Sequence, residues 1–217
     1  MGKSFAGVFA NWSGKVGNVV GRIRQGRTIM SIYQPQVHNP KTDSQELARQ
    51  KFKLLSKFIG SITGFIKVTF RNLDGYKTGT PNSAAIGFNF KQDPSVFDGS
   101  TVETLEVDYT KVKVSQGSVD LPYSPSASAE GNSVTVTWSD NSGMGNAQAT
   151  DQIMILVYNP AKNQCVYNTN IADRSERNAT LALPTAWSGD TVNCWLAVQN
   201  PKTLACSDST HLAALPL

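Results

Sequence analysis

Two stretches decide the fold: Ser133-Val-Thr-Val-Thr-Trp-Ser139 and Thr191-Val-Asn-Cys-Trp-Leu-Ala-Val-Gln199. In the first, Val134, Val136 and Trp138 alternate with Ser133, Thr135 and Thr137. In the second, Val192, Cys194, Leu196 and Val198 alternate with Asn193, Trp195, Ala197 and Gln199. A period of two sends successive side chains to opposite faces of a sheet, so each stretch reads as a strand with one face in a core. Working outward, further strands are expected at 152–158, 165–169, 179–183 and 204–209, separated by the turns Asn159-Pro160, Ser188-Gly189-Asp190 and Asn200-Pro201. Short strands with frequent turns are the rhythm of an all-β sandwich, which begins near residue 118. If the Val192 set faces the core, Trp195 faces out and is an interface candidate. A slip of one residue would reverse the faces and place it inside.

Upstream, 16–24 and 27–33 read as the strands of a hairpin around Gln25-Gly26, ended by Pro35. Pro40-Lys-Thr-Asp-Ser-Gln-Glu46 has capping-box spacing and starts a helix. Leu47, Leu54, Leu55, Phe58, Ile59, Ile62, Phe65 and Ile66 form its apolar stripe and carry it to about residue 68. Gly60 and Gly64 inside it imply either a close backbone approach or a break near Gly60. The turn-rich run 72–99 holds Ile86, Phe88 and Phe90, whose alternation reads as a short strand, and 104–115 reads as another.

Charge is distributed unevenly. Residues 1–80 hold 13 Lys and Arg against three Asp and Glu, a net +10; residues 81–217 hold 7 against 13, a net −6. Such asymmetry points to different partners for the two parts. Arg22, Arg24 and Arg27 gather on the hairpin, and Arg49, Lys53 and Lys57 recur every four residues on the helix. These six form the candidate site for nucleic acid or a protein partner. Phe5, Phe9 and Trp12 make the amino-terminal arm apolar and are interface candidates alongside Trp195.

Catalytic chemistry finds no support. The two histidines, His38 and His211, stand in a proline-flanked linker and near the carboxyl end, without the neighbours a hydrolytic triad requires. Cys165, Cys194 and Cys206 lack metal-ligand spacing and an even count, so they read as small apolar residues. Gly2-Lys3-Ser4 lacks the rest of a phosphate loop. The expectation is a non-enzyme with no catalytic residues, no metal and no cofactor. Neither a signal peptide nor a membrane-spanning run is recognisable: the most apolar stretch, 58–70, is too short and contains Lys67.

The run Ala179-Thr-Leu-Ala-Leu-Pro184 followed by Thr191 to Val198, together with Trp138, resembles a fibronectin type III module, though the usual tyrosine at the start of its sixth strand is missing. Met1-Gly2-Lys3, Gly14-Lys15-Val16-Gly17-Asn18-Val19-Val20-Gly21 and Asn39-Pro40-Lys41-Thr42, leading through Gln45 to Phe52, resemble a bacterial and phage-associated family of unknown function. The fold class is therefore an α+β N-terminal region, a β-hairpin plus long helix over 1–100, a connecting strand over 101–117 and an all-β immunoglobulin or fibronectin III-like sandwich over 118–217. The resemblance implies a structural protein that self-associates or docks on a larger particle such as a virion, in a virion or the cytoplasm. Two alternatives stand beside it: a nucleic-acid-binding protein using the basic half, and a surface ligand-binding module using loop 141–150.

Overall fold

Alternation in the sandwich segment produces two antiparallel sheets. The structure, a computed structural model, describes residues 2–4, 11–24, 26–36, 40–71, 79–92 and 94–217, with side chains from residue 11 onward. It divides into two compact units, Met1–Thr42 and Asp43–Leu217.

The first unit is a four-stranded sheet of β1 (Gly2–Ser4), β2 (Gly14–Val16), β3 (Val19–Arg24) and β4 (Arg27–Ile32), in the order β1-β4-β3-β2. The expected hairpin is its centre: Arg24 pairs with Arg27 and Val19 with Ile32. Gly17 and Gly26 have φ of 55° and 72°, a region glycine enters without a Cβ penalty, and each sits in a two-residue connection.

The second unit opens with helices α1 (Asp43–Ser61), α2 (Thr63–Thr69) and α3 (Pro81–Phe90). α1 begins where the capping signal placed it, with Asp43 and Glu46 in the first turn, where negative charge suits the helix dipole. The anticipated break falls at Ile62 (φ −103°, ψ 19°). There Ser61 Oγ donates to the Phe58 carbonyl (2.6 Å) and Thr63 Oγ1 to that of Gly60 (2.8 Å), hydroxyl back-bonding that bends helices. Gly64 meets the expected close approach, since a Cβ there would lie 2.0 Å from the Tyr167 hydroxyl, whereas Gly60 faces open space.

The strand expected around Ile86, Phe88 and Phe90 is instead α3. Thr80 Oγ1 accepts from the Ser83 amide (3.3 Å) and Pro81 occupies the first turn. Asn89, buried, uses both ends of its amide on the backbone of Lys113, which anchors the chain beyond the helix. The strand expected over 104–115 reduces to β6 (Glu106–Val107), paired with β5 (Phe97–Asp98). Val112 to Ser115 is a buried strap held by side chains: Thr69 donates to the Val114 carbonyl (2.8 Å) and the Val114 amide donates to Ser209 Oγ (2.9 Å).

The sandwich comprises β7 (Tyr123–Glu130), β8 (Ser133–Ser139), β9 (Gln152–Asn159), β10 (Gln164–Asp173), β11 (Asn178–Ala182), β12 (Thr191–Gln199) and β13 (Thr210–Pro216). One sheet runs β11-β8-β7 and the other β10-β9-β12-β13. Three strands facing four in this order are the fibronectin type III arrangement. β13 replaces the expected strand at 204–209, which is the turn leading into it. β7 carries Pro125 within an edge strand, where a missing N–H is tolerated, and its register shifts beside that residue.

β9 and β12 are buried on both faces. Ile153, Ile155, Val157, Val192, Cys194, Leu196 and Val198 pack inside the sandwich against Val134, Val136 and Trp138. Met154, Leu156, Tyr158, Trp195 and Ala197 pack on the other side against Leu55, Phe58, Ile59, Ile62, Phe65 and Ile66 of the helices. The helices thus form a third layer on the four-stranded sheet. The break between compact units falls after Thr42, where a boundary at residue 100 was expected, because α1 to α3 share a core with β9 and β12.

Candidate functional site

Residues 1–42 contain six Lys and Arg and no Asp or Glu, so the first unit carries a formal +6; the remaining 14 cations and 16 anions give residues 43–217 a formal −2. Registry gathers four of those six cations on one side of the sheet. Directly opposed residues of antiparallel strands share a face, and faces alternate along each strand. Arg24 opposes Arg27, Arg22 opposes Ile29 and Lys15 opposes Val20. Lys15, Arg22, Arg24 and Arg27 therefore lie on one face, and all four are exposed. Lys15 Nζ sits 3.5 Å over the ring of Tyr33, which continues this face beyond β4.

The opposite face is mostly apolar, with Thr28 buried within it. Val16, Val19, Ile23, Met30 and Ile32 fall on it by the same registry, and Val16, Ile23 and Ile32 are 64, 48 and 79% exposed. Gly21, directly opposed to Gly14, is a bare position on it. A Cβ there would come 2.4 Å from Trp12, so the missing side chain seats that indole. Trp12, an expected interface residue, is half-buried against its own sheet.

The six basic candidates divide between the units: Arg22, Arg24 and Arg27 on the sheet, Arg49, Lys53 and Lys57 on α1. The helical three are exposed in a row with Phe52, itself 55% exposed. Lys57 also lines a cleft of about 300 Å³ with Phe58, Glu106, Tyr109 and Tyr158. Phe5 and Phe9 lie outside the described residues. Trp195 is not a surface residue. It points away from the sandwich interior as its alternation required, but α1 covers it to 0% exposure and its Nε1 donates to the Val112 carbonyl (3.2 Å). A strand's periodicity shows which side a residue takes and not what packs over that side.

In loop 141–150, the expected ligand loop, Asn141 and the Gln148 backbone amide turn inward, towards Arg174 and Asp151. Arg174, wholly buried, donates to Asp151 Oδ2 (2.9 Å), Asn141 Oδ1 (2.6 Å) and the Asp120 carbonyl (2.7 Å). Asp151 also accepts from the Gln148 amide (2.8 Å) and from Asn200 Nδ2 (3.0 Å). One guanidinium thereby ties together the connections that meet at one end of the sandwich. Nothing in the charge pattern of the sequence singled Arg174 out; its isolation between Asp173 and Ser175 looks like an ordinary turn.

The reactive side chains are held quiet. Burial pushes the Cys194 thiol up to about 12 and Cys206 up to about 11, and raises Cys165. Thiols so shifted stay protonated and are poor nucleophiles. Among the described residues no three His, Cys, Asp or Glu are grouped to hold a metal ion, and no helix is long and apolar enough to cross a membrane. His211 Nε2 is 3.0 Å from Asn193 Oδ1 and its ring stacks edgewise on Trp195 at 5.2 Å.

Burial lowers the His211 pKa below its ordinary 6.5, partly opposed by Asp108. The unfolded chain then takes up this proton more readily than the folded one. The stability it contributes is complete above pH 6.5 and is lost as pH falls through the depressed value. Urea midpoints of the wild type should fall from pH 7 to pH 5, and His211→Gln, which keeps an amide for Asn193, should flatten that slope. An identical slope in both proteins would remove His211 from the account.

The fn3 domain of human collagen alpha-1(XX) chain, solved in solution, is similar over 48% of this chain and 94% of that one, at 15% identity and a TM-score of 0.31. No curated protein matches the chain in sequence. A family model described as a family of unknown function matches residues 11–213, which is most of the sequence, and the chain belongs to that family, DUF6266.

Proposed function

We propose that this chain is a non-enzymatic structural protein that associates with further copies of itself through its N-terminal sheet, and that its finer role is as a component of a phage or mobile-element particle. The observation that supports the association is the apolar face of a 42-residue unit, on which Val16, Ile23 and Ile32 are 64, 48 and 79% exposed. A unit of this size buries too little of its surface to be secure alone and usually relies on staples or oligomerisation. Three or more strands with an apolar face gain independent stability when that face is covered.

A second copy is the occupant the charges favour. Sheets packing face to face lie about 10 Å apart. Meeting through the apolar faces sets Val16, Ile23 and Ile32 against their equivalents and turns both cationic faces outward. Meeting through the other faces would press like charges together. The arrangement suits an isologous two-fold interface. The ligand-module reading has less support, because Asn141 and the Gln148 backbone amide are committed to Arg174 and Asp151.

Sedimentation velocity tests the association. Wild type should show a concentration-dependent species heavier than the 23.5 kDa chain, and Val16→Asp/Ile32→Asp should sediment as that chain with an unchanged circular dichroism spectrum. Wild type that stays at 23.5 kDa at every concentration contradicts the proposal.

A further inference from the structure

We infer that the cationic face of the N-terminal sheet binds the phosphate backbone of nucleic acid, without reading its sequence. This uses the side of the sheet opposite to the one assigned to self-association, so either can fail while the other holds.

The argument begins with what surrounds the cations. Residues 1–42 hold no carboxylate, and the register gathers Lys15, Arg22, Arg24 and Arg27 onto three adjacent strands, β2 to β4. Strands lie about 4.8 Å apart and same-face residues along a strand about 7 Å apart, so these charges occupy a patch roughly 10 Å by about 14 Å. A duplex carries one negative charge per about 1.7 Å of axis, enough for such a patch to meet several phosphates in any register. Three of the four cations are arginines, whose planar fork matches phosphate oxygens in pairs. Ser31, half-buried on the same face, adds a hydroxyl, and Tyr33, 39% exposed, adds a ring against which a sugar or base packs.

Several features favour nucleic acid over an acidic protein surface. Residues 11–36 contribute no carboxylate of the kind that protein–protein rims intersperse with their cations. Its apolar members, Val20 and Ile29, are half-buried, so no large apolar anchor stands out among the charges to insert into a protein pocket. Contacts to phosphates carry no sequence information, which predicts indifference to base sequence.

The test is fluorescence anisotropy with the full chain, using labelled duplex and single-stranded DNA of two unrelated sequences across a potassium chloride series. Binding should be equal for the two sequences. The log–log dependence of affinity on salt should have a slope of about −3.6 for the duplex and about −2.8 for the single strand, as four neutralised phosphates give. Arg22→Ala/Arg24→Ala should reduce that slope by about 2, while Arg22→Lys/Arg24→Lys keeps it, separating lost charge from lost folding. The duplex and single-strand arms identify the form of phosphate backbone preferred. No binding at low salt overturns the inference. So does polyglutamate competing as well as unlabelled DNA at equal charge, which would make the partner an acidic protein surface. Binding untouched in Arg22→Ala/Arg24→Ala but abolished in Arg49→Ala/Lys53→Ala would move the site to α1 and overturn it too.

Discussion

Arg174→Leu should cost the unit formed by residues 43–217 about 3–5 kcal/mol, the usual penalty for removing one partner of a buried ion pair. The loss has a specific origin. Asp151 is wholly buried, and without the guanidinium its charge keeps only the Gln148 amide and the Asn200 amide as donors. Asn141 Oδ1 and the Asp120 carbonyl lose their donor at the same time. In a domain of this size that penalty lowers the melting temperature by about 10 °C. The double variant Arg174→Leu/Asp151→Leu should recover part of the loss, since a buried pair replaced by apolar groups leaves no orphaned charge. Urea denaturation of the three proteins checks this; a single variant within about 1 kcal/mol of wild type would mean that water reaches Asp151 and the site is not dry.

Trp195→Ala should cost a similar amount, about 3–5 kcal/mol, as large-to-small changes of buried aromatics do. Its ring lies 5.9 Å from Phe58, 6.3 Å from Tyr109 and 5.2 Å from His211, so one truncation opens the seam between the helices and β12. The distribution of damage is the sharper prediction. Amides of α1 and of the strap at 112–115 should exchange faster in hydrogen–deuterium measurements. Those of β8, on the far side of the sandwich, should change less. Uniform acceleration throughout 43–217 would mean that the three layers unfold as one unit.

The central strands were legible because their chemistry is redundant. β8 alternates cleanly over seven residues, and β12 sets Val192, Cys194, Leu196 and Val198 at every second place of its nine. α1 announces its start with Asp43 and Glu46 and its buried side with a stripe of Leu, Phe and Ile. β7 was not legible, since Pro125, Ala127 and Ala129 supply its inward face and offer little apolar contrast to the serines between them. α3 was misread because Ile86, Phe88 and Phe90 fit a period of two; the decisive signals were Thr80-Pro81 ahead of them and Ala84-Ala85 within. Residue 100 looked like a boundary because the turn-rich run 72–99 ends there, but a boundary is a gap in contacts, and Phe58 packing on Tyr158 closes it.

The candidate site was legible as a composition and not as a surface. Counting charges found Arg22, Arg24 and Arg27, and alternation put Arg22 and Arg24 together. Bringing Arg27 and Lys15 onto the same side required the pairings Arg24 with Arg27 and Lys15 with Val20. The apolar reverse side emerges only once those pairings are known, because Val16, Ile23 and Ile32 are scattered among Gly, Arg and Ser in the sequence.

A photo-reactive benzoylphenylalanine in place of Ile32, the most exposed of these apolar residues, tests the self-association of the sheet most directly. Irradiating an equal mixture of isotopically light and heavy chains and sequencing the cross-linked peptides reports which molecule and which residues lie opposite position 32. Mixed light–heavy products joined within residues 11–36 are the predicted result. Products confined to single chains, or mixed products that always land in 43–217, would contradict it.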